Sequence, residues 1–235
     1  MRLMSQPAIL TPAHAYALWA SSYPAYAHNP VMQAEERAML QLMPAELKNH
    51  AVLDAGCGSG RYMVHALQRD AVRVRGVDLS PEMLDRAESE LHTYRAGAKI
   101  ELSQGSLTSL PIADAWADLA ICGLVVGHLE NLEQPLAELH RVTRPGGVVL
   151  CSDVHPIGHA LGWVRDFKAG GQRYAVQHTQ HLYGHWHATC AALGLQIEQV
   201  LEPMLDPADI PVDARFDRMA LQVPVALVFQ LRRMR

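Results

Sequence analysis

The sequence predicts an α/β domain built on a largely parallel sheet. Three observations carry that expectation. From Ala51 onward, short apolar runs alternate with helical patterns, as strand–crossover–strand units do. The first run, Val52-Leu53-Asp54, leads into Ala55-Gly56-Cys57-Gly58-Ser59-Gly60-Arg61, where three glycines at alternate positions open a helix. The second run ends in an acid, Asp78, at the edge where open α/β sheets bind ligands.

Residues 1 to about 48 carry no strand pattern. They hold the aromatic cluster Tyr16, Trp19, Tyr23 and Tyr26, then His28-Asn29-Pro30, then a helical stretch over about 32–42 that Pro44 stops. The first strand covers about 51–55, and its helix ends near Arg69. A second strand runs over 72–77 up to Asp78. Ser80-Pro81-Glu82-Met83 then starts a helix with an N-cap serine, a proline at the first helical position and an early acid. Strands follow over about 99–102 and 118–122. The next helix begins near Asn131, with Leu136, Leu139 and Val142 on one face. Pro145-Gly146-Gly147 turns the chain into a fifth strand over 148–151. Residues 156–177 read as one long irregular loop, a length that in compact domains belongs to functional lids or to disordered segments. A helix over about 178–193 stopped by Gly194, and strands over 195–201 and 223–231, complete the chain. No internal repeat or low-complexity tract is present.

Composition excludes several classes. At 235 residues, 49% of them hydrophobic, the chain can bury a sizeable core as one domain. A net charge of -4 lacks the basic footprint of a nucleic-acid binder. No apolar run approaches a membrane span of roughly 18 residues, and the N-terminus lacks a signal-peptide profile. Cys57, Cys122, Cys151 and Cys190 have no metal-like spacing and read as reduced, buried small residues. The expectation is a cytoplasmic protein, monomer or homodimer, with no nucleic-acid or membrane partner.

Glycines at a strand-to-helix turn let a ligand approach the main chain, and the helix N-terminus offers it free N–H groups. A dinucleotide turn would read G-x-G-x-x-G, but Arg61 stands where the third glycine would fall. The stretch instead resembles the first motif of class I S-adenosylmethionine (SAM)-dependent methyltransferases. Three further stretches match that family in order and spacing across 51–156. Asp78 is the second. Gly105-Ser106-Leu107 through Leu110-Pro111-Ile112 resembles the family's G-D-x-x-x-L-P-F segment, with Ser106 in place of the aspartate. The last is the run from Asp118 to Leu129 with the downstream Arg144-Pro145-Gly146-Gly147. The subgroup most similar is the small-molecule one (methyltransferase type 11), with the quinone and biotin-pathway enzymes.

The resemblance implies a Rossmann-like, seven-stranded, mostly parallel sheet with an antiparallel last strand, helices on both faces and an N-terminal helical cap. It places a cap over 1–48 and the SAM-binding domain over 49–235, with 156–187 as a lid-like insertion. It implies a cofactor set of Asp54, Gly56, Cys57, Gly58, Gly60, Arg61, Asp78, Leu79, Met83, Ser106, Leu107 and Gly123. Asp78 would accept both ribose hydroxyls, the alternative being a plain helix-capping aspartate before Ser80. Tyr16, Tyr23, Tyr26, His28, His155 and His178 are candidates for the acceptor side, or simply pack the cap.

A sulfonium methyl is already activated, so the protein must align a nucleophile and exclude water. Where the nucleophile carries a proton, a histidine can take it near neutral pH. His128 and His155, each following a strand, are the candidate bases; either could instead shape the pocket or cap a turn. His178, His181 and His185 would share one helical face, but spread over roughly 10 Å they read as a polar wall, and no metal is expected. The expected function is methyl transfer from SAM, which becomes S-adenosylhomocysteine (SAH), to oxygen or nitrogen of a small molecule, with carbon as runner-up. The rivals are an NAD-linked oxidoreductase, a catalytically silent SAM-binding regulator and an RNA methyltransferase.

Overall fold

The computed structural model describes residues 7–210 and 218–235. Residues 1–6 of the expected N-terminal cap lie outside the described residues. The central sheet has seven strands in the order β4 (Lys99–Gln104), β3 (Arg73–Asp78), β2 (Ala51–Ala55), β5 (Ala117–Gly123), β6 (Thr143–Val154), β10 (Ala226–Arg233) and β9 (Leu195–Leu201). Strand β10 runs antiparallel to both its neighbours, while the pairs from β4 across to β6 are parallel. The fold class and the reversed last strand are those the sequence implies.

Strand β2 is buried at every position because helices cover both faces, which explains its unbroken apolar run. On one face α2 (Pro30–Leu42) and α3 (Arg61–Leu67) set Met39, Leu42 and Met63 against Val52, Ile121 and Val228. On the other, α5 (Glu133–Val142) and α7 (Tyr183–Leu193) set Leu136, Leu139 and Trp186 against Leu53, Ala120 and Phe229. Helix α4 (Pro81–Leu91) starts as expected, the Ser80 hydroxyl accepting from the Met83 amide. All four cysteines are buried and free. Among the described residues no helix is long and apolar enough to cross a membrane.

Four features depart from the sequence-based expectation. First, the two regions expected to lack strands build a second sheet together. Strand β1 (Ala8–Leu10) pairs in parallel with β8 (Gln172–Val176), which pairs antiparallel with β7 (Asp166–Ala169). Gly170 and Gly171, at φ 55° and 78°, make the two-residue turn between β7 and β8. Helix α1 (Pro12–Trp19) packs on this sheet through Trp19, stacked on Phe167 at 4.7 Å. A short helix, α6 (Pro156–Ala160), occupies the start of the expected loop.

Second, α2 lies in the body rather than the cap, its apolar face in the core under the central sheet. Third, α7 starts at Tyr183, not 178. The amides of Gln177 and Thr179 donate to Leu10 O and Gly127 O, so this stretch is held extended. His178, His181 and His185 therefore share no helical face. Fourth, Pro145-Gly146-Gly147 does not precede β6 but bulges within it, between the pairings Ala117↔Thr143 and Leu119↔Val148.

Candidate functional site

A cavity of about 300 Å³ opens at the carboxyl ends of β2, β3, β4 and β5, where the strand order switches direction. The central sheet supplies one wall. Gly56, at φ 79°, lies so close under Val125 that an added Cβ would stand 2.5 Å from that side chain. At Gly58, φ 53°, an added Cβ would meet only the end of Met83, at 3.3 Å. The bend therefore presents bare main chain to the cavity, beside Cys57, Met83, Ser106, Leu107 and Gly123. Leu79 stands at the rim, 53% exposed.

Two acids belong to this wall. Asp78 accepts from the Gly58 amide at 2.8 Å through Oδ2 and from the Ser80 amide at 2.9 Å through Oδ1. These bonds fix the carboxylate and leave each oxygen a further lone pair for ligand hydroxyls. Burial raises its pKa, against those backbone hydrogen bonds. Asp54 is 1% exposed, and its Oδ2 has no hydrogen-bond partner among the described residues. Burial first, with the neighbouring charge of Asp78, pushes its pKa up to about 7 despite Arg61. A buried acceptor without a donor is costly, and a ligand ammonium would supply one. Bare glycine backbone, a fixed carboxylate and an orphaned carboxylate oxygen fit a nucleoside that carries an amino-acid group, such as SAM.

The cap supplies the opposite wall through Tyr16, Tyr23, Tyr26 and Arg165. His128, just past β5, joins them. Its Nδ1 lies 3.2 Å from Gln177 O, which can only accept, so Nδ1 carries the proton. Its Nε2 then accepts from the Tyr16 hydroxyl at 2.9 Å. Burial, then the charge of Arg165, pulls the His128 pKa down to about 3, while burial raises that of Tyr16. Both groups are neutral at physiological pH.

Four residues expected at the site stand elsewhere. Gly60 starts α3 at φ 83° and faces Leu91 and Ala87, where an added Cβ would come within 3.3 and 3.4 Å; it serves helix packing. His155 caps α6, its Nδ1 accepting from the Ile157 amide and its Nε2 3.2 Å from Glu202. His178 is bound behind the cavity between Asp153 and His159, at 3.1 and 2.8 Å. His28 packs its ring edge-on against Trp19 and Tyr23, outside the cavity lining. Among the described residues no group of three or more potential ligands is placed to hold a metal.

Two further groups matter that sequence reasoning missed. Glu35, 0% exposed, accepts from Tyr62 Oη at 2.7 Å, Ser152 Oγ at 2.6 Å and Arg61 at 3.0 Å. Arg61, which lines the cavity, also donates to Glu36 at 3.0 Å. A signal for Glu35 was present, because it falls on the apolar stripe Met32, Met39, Leu42 of its helix. Arg165 lies in the stretch read as a loop, and no spacing marked it. It reaches Leu124, which sits at φ 58° and is held there by its amide donating to Ser152 O at 3.0 Å.

A family model described as a methyltransferase domain matches residues 53–151. The malonyl-[acyl-carrier protein] O-methyltransferase of Serratia marcescens is 37% identical over 142 residues, covering 60% of this chain and 51% of that protein. The protein of the same name from Pseudescherichia vulneris is 35% identical over 188 residues, covering 76% and 68%. The chain spans about half the length of the first curated relatives it matches. Among solved structures, a SAM-dependent methyltransferase from Mesorhizobium loti superposes with a TM-score of 0.66 at 26% identity, covering 85% of this chain and 98% of that one.

Proposed function

Because this chain belongs to the class I SAM-dependent methyltransferase family, we propose that it transfers the methyl group of SAM to an oxygen of a small acceptor. The observation that carries this reading is the orphaned Asp54 Oδ2 beside Asp78 and the bare glycine bend, in one cavity with Tyr16 and His128. Asp78 would hold the ribose hydroxyls and Asp54 the ammonium. Leu79 and Met83 would flank the adenine, and Ser106 with the Leu107 main chain would meet its edge. When bound, SAM supplies a methyl group activated on a sulfonium.

The rest is the work of this chain's own groups. The cap of β1, α1 and the β7–β8 hairpin excludes water from the cavity. His128, with Nε2 engaged and a pKa near 3, is poorly suited to hold a proton; it accepts a hydrogen bond from the Tyr16 hydroxyl and so fixes that side chain at the cap wall. Oxygen is favoured because the relatives reported above are named O-methyltransferases.

Calorimetric titration with SAH and with NAD tests the cofactor, and labelled-methyl transfer from SAM to a panel of small acids, phenols and amines tests the reaction. SAH should bind and NAD should not. Preference for NAD, or no binding of SAH, overturns the reading. Binding of SAH without transfer to any acceptor makes the protein a silent SAM-binding module.

A further inference from the structure

Arg165 stands between α6 and β7 and lines the cavity from the cap side. One Nη donates to Tyr23 Oη at 3.3 Å and the other to Leu124 O at 3.5 Å. Its guanidinium lies 5.6 Å from the centre of the Tyr16 ring. No salt bridge reaches it from any carboxylate among the described residues. The contrast is with Arg61, the cavity's other arginine, which Glu35 and Glu36 hold at 3.0 Å each. Two long hydrogen bonds leave most of the five guanidinium donors unspent.

We propose that Arg165 receives an anionic group of the acceptor, and that the acceptor is a carboxylate methylated on oxygen. This rests on reading the cavity as a SAM site. Arg165 is half-buried in the cavity wall with no carboxylate paired to it among the described residues, so its remaining donors are left for an anion that arrives with the ligand. The charge layout agrees. Asp54 and Asp78 form one wall, suited to a cationic cofactor, and Arg165 faces in from the cap. A sulfonium and a guanidinium in one low-dielectric cavity repel unless an anion lies between them.

Proton bookkeeping points the same way. His128 Nε2 is occupied by Tyr16, so the nucleophile should come already deprotonated. A carboxylate does so at neutral pH. Its oxygen lone pair forms the new O–C bond while the C–S pair returns to sulfur. One negative and one positive charge vanish together, giving a neutral ester and a thioether with no proton released. The ester no longer carries the charge that Arg165 binds, which favours its release.

The test uses the malonyl thioester of N-acetylcysteamine as anionic probe and the acetyl thioester, lacking the free carboxylate, as its neutral counterpart. Both are titrated into the SAH-saturated protein by calorimetry. Wild type should bind the malonyl probe about ten- to a hundredfold more tightly than the acetyl one. Arg165→Gln should erase that preference, and Arg165→Lys should retain part of it. SAH affinity should stay within about threefold in both variants, reporting an intact fold and cofactor wall. A fall in SAH affinity in step with probe affinity would assign the guanidinium to the cofactor's own carboxylate and overturn the proposal. Equal binding of the two probes by wild type, or a preference that survives Arg165→Gln, overturns it as well. If wild type binds no SAH, the cofactor reading fails instead, and the same titration without SAH still decides Arg165.

Discussion

The two walls of the cavity are built on different principles. The sheet wall is main chain and carboxylate: glycines in left-handed conformations, with Asp54 and Asp78 at the tips of adjacent strands. The cap wall is side chain: three tyrosines, a neutral histidine and a cation held by a small sheet of its own. Backbone and strand-tip acids sit at fixed distances along the chain, so the first wall is set by the central sheet itself. The second is assembled from segments far apart in sequence, and its side chains can be exchanged without moving the sheet. Under the proposed function, the first wall would take the cofactor and the second the acceptor.

Four measurements would break or sharpen that contrast. The largest effect is expected at Glu35, which ties α2 to the sheet wall. Glu35→Ala strands Arg61, Tyr62 and Ser152 without their shared acceptor and should cost about 3–5 kcal/mol in chemical denaturation. A loss under 1 kcal/mol would show that α2 is not cemented to the body. Next, Asp78→Ala should weaken SAH by about a hundredfold at unchanged far-ultraviolet dichroism; unaltered affinity would remove Asp78 from the ligand.

Third, Tyr16→Phe should leave SAH affinity intact and lower turnover about tenfold through looser positioning of the acceptor, since it removes from the cap wall alone the hydroxyl bound to His128. A parallel loss of SAH affinity would mean that the walls do not divide the work as described. The smallest effect is a pH slope. Asp54 holds its proton up to about pH 7, so its folded-state pKa is raised, and its contribution to stability is present at low pH and lost as pH rises through 7. An ammonium ligand favours the ionised form, so SAH affinity should rise with pH below 7 by up to about tenfold per unit and level off above it. Asp54→Asn should flatten that slope, and a slope that persists in the variant would assign it to another group.

The same division explains what could be read from the sequence. Strands β2, β3 and β5, the glycine turn and the position of Asp78 follow local rules of periodicity and turn chemistry, and they stand where those rules place them. The cap does not follow them. Strand β1 is three residues long, and among the described residues its partner is β8, far off in sequence, so nothing near it announces it. The β7–β8 hairpin did carry a signal, the Gly170-Gly171 pair between two short runs, hidden by the polar residues around it. His178 was drawn to a helical stripe because its spacing fitted; the amides of Gln177 and Thr179, spent on Leu10 and Gly127, keep that stretch out of the helix. His155 followed a strand end as His128 does, yet Glu202 and the Ile157 amide turned it to capping.

The parallel pairing of Ala8–Leu10 with Tyr174–Val176 also has a bearing on how the protein is made. Ala8 emerges from the ribosome long before Tyr174 exists, and at about 5–20 residues per second the wait is on the order of 10 s. Strands β2, β3 and β5 with their glycine bend can organise during that interval, whereas the small sheet of the cap closes only once Gln172–Val176 has been made. A ribosome stalled before that point would carry a chain with its first central strands begun and its second sheet missing.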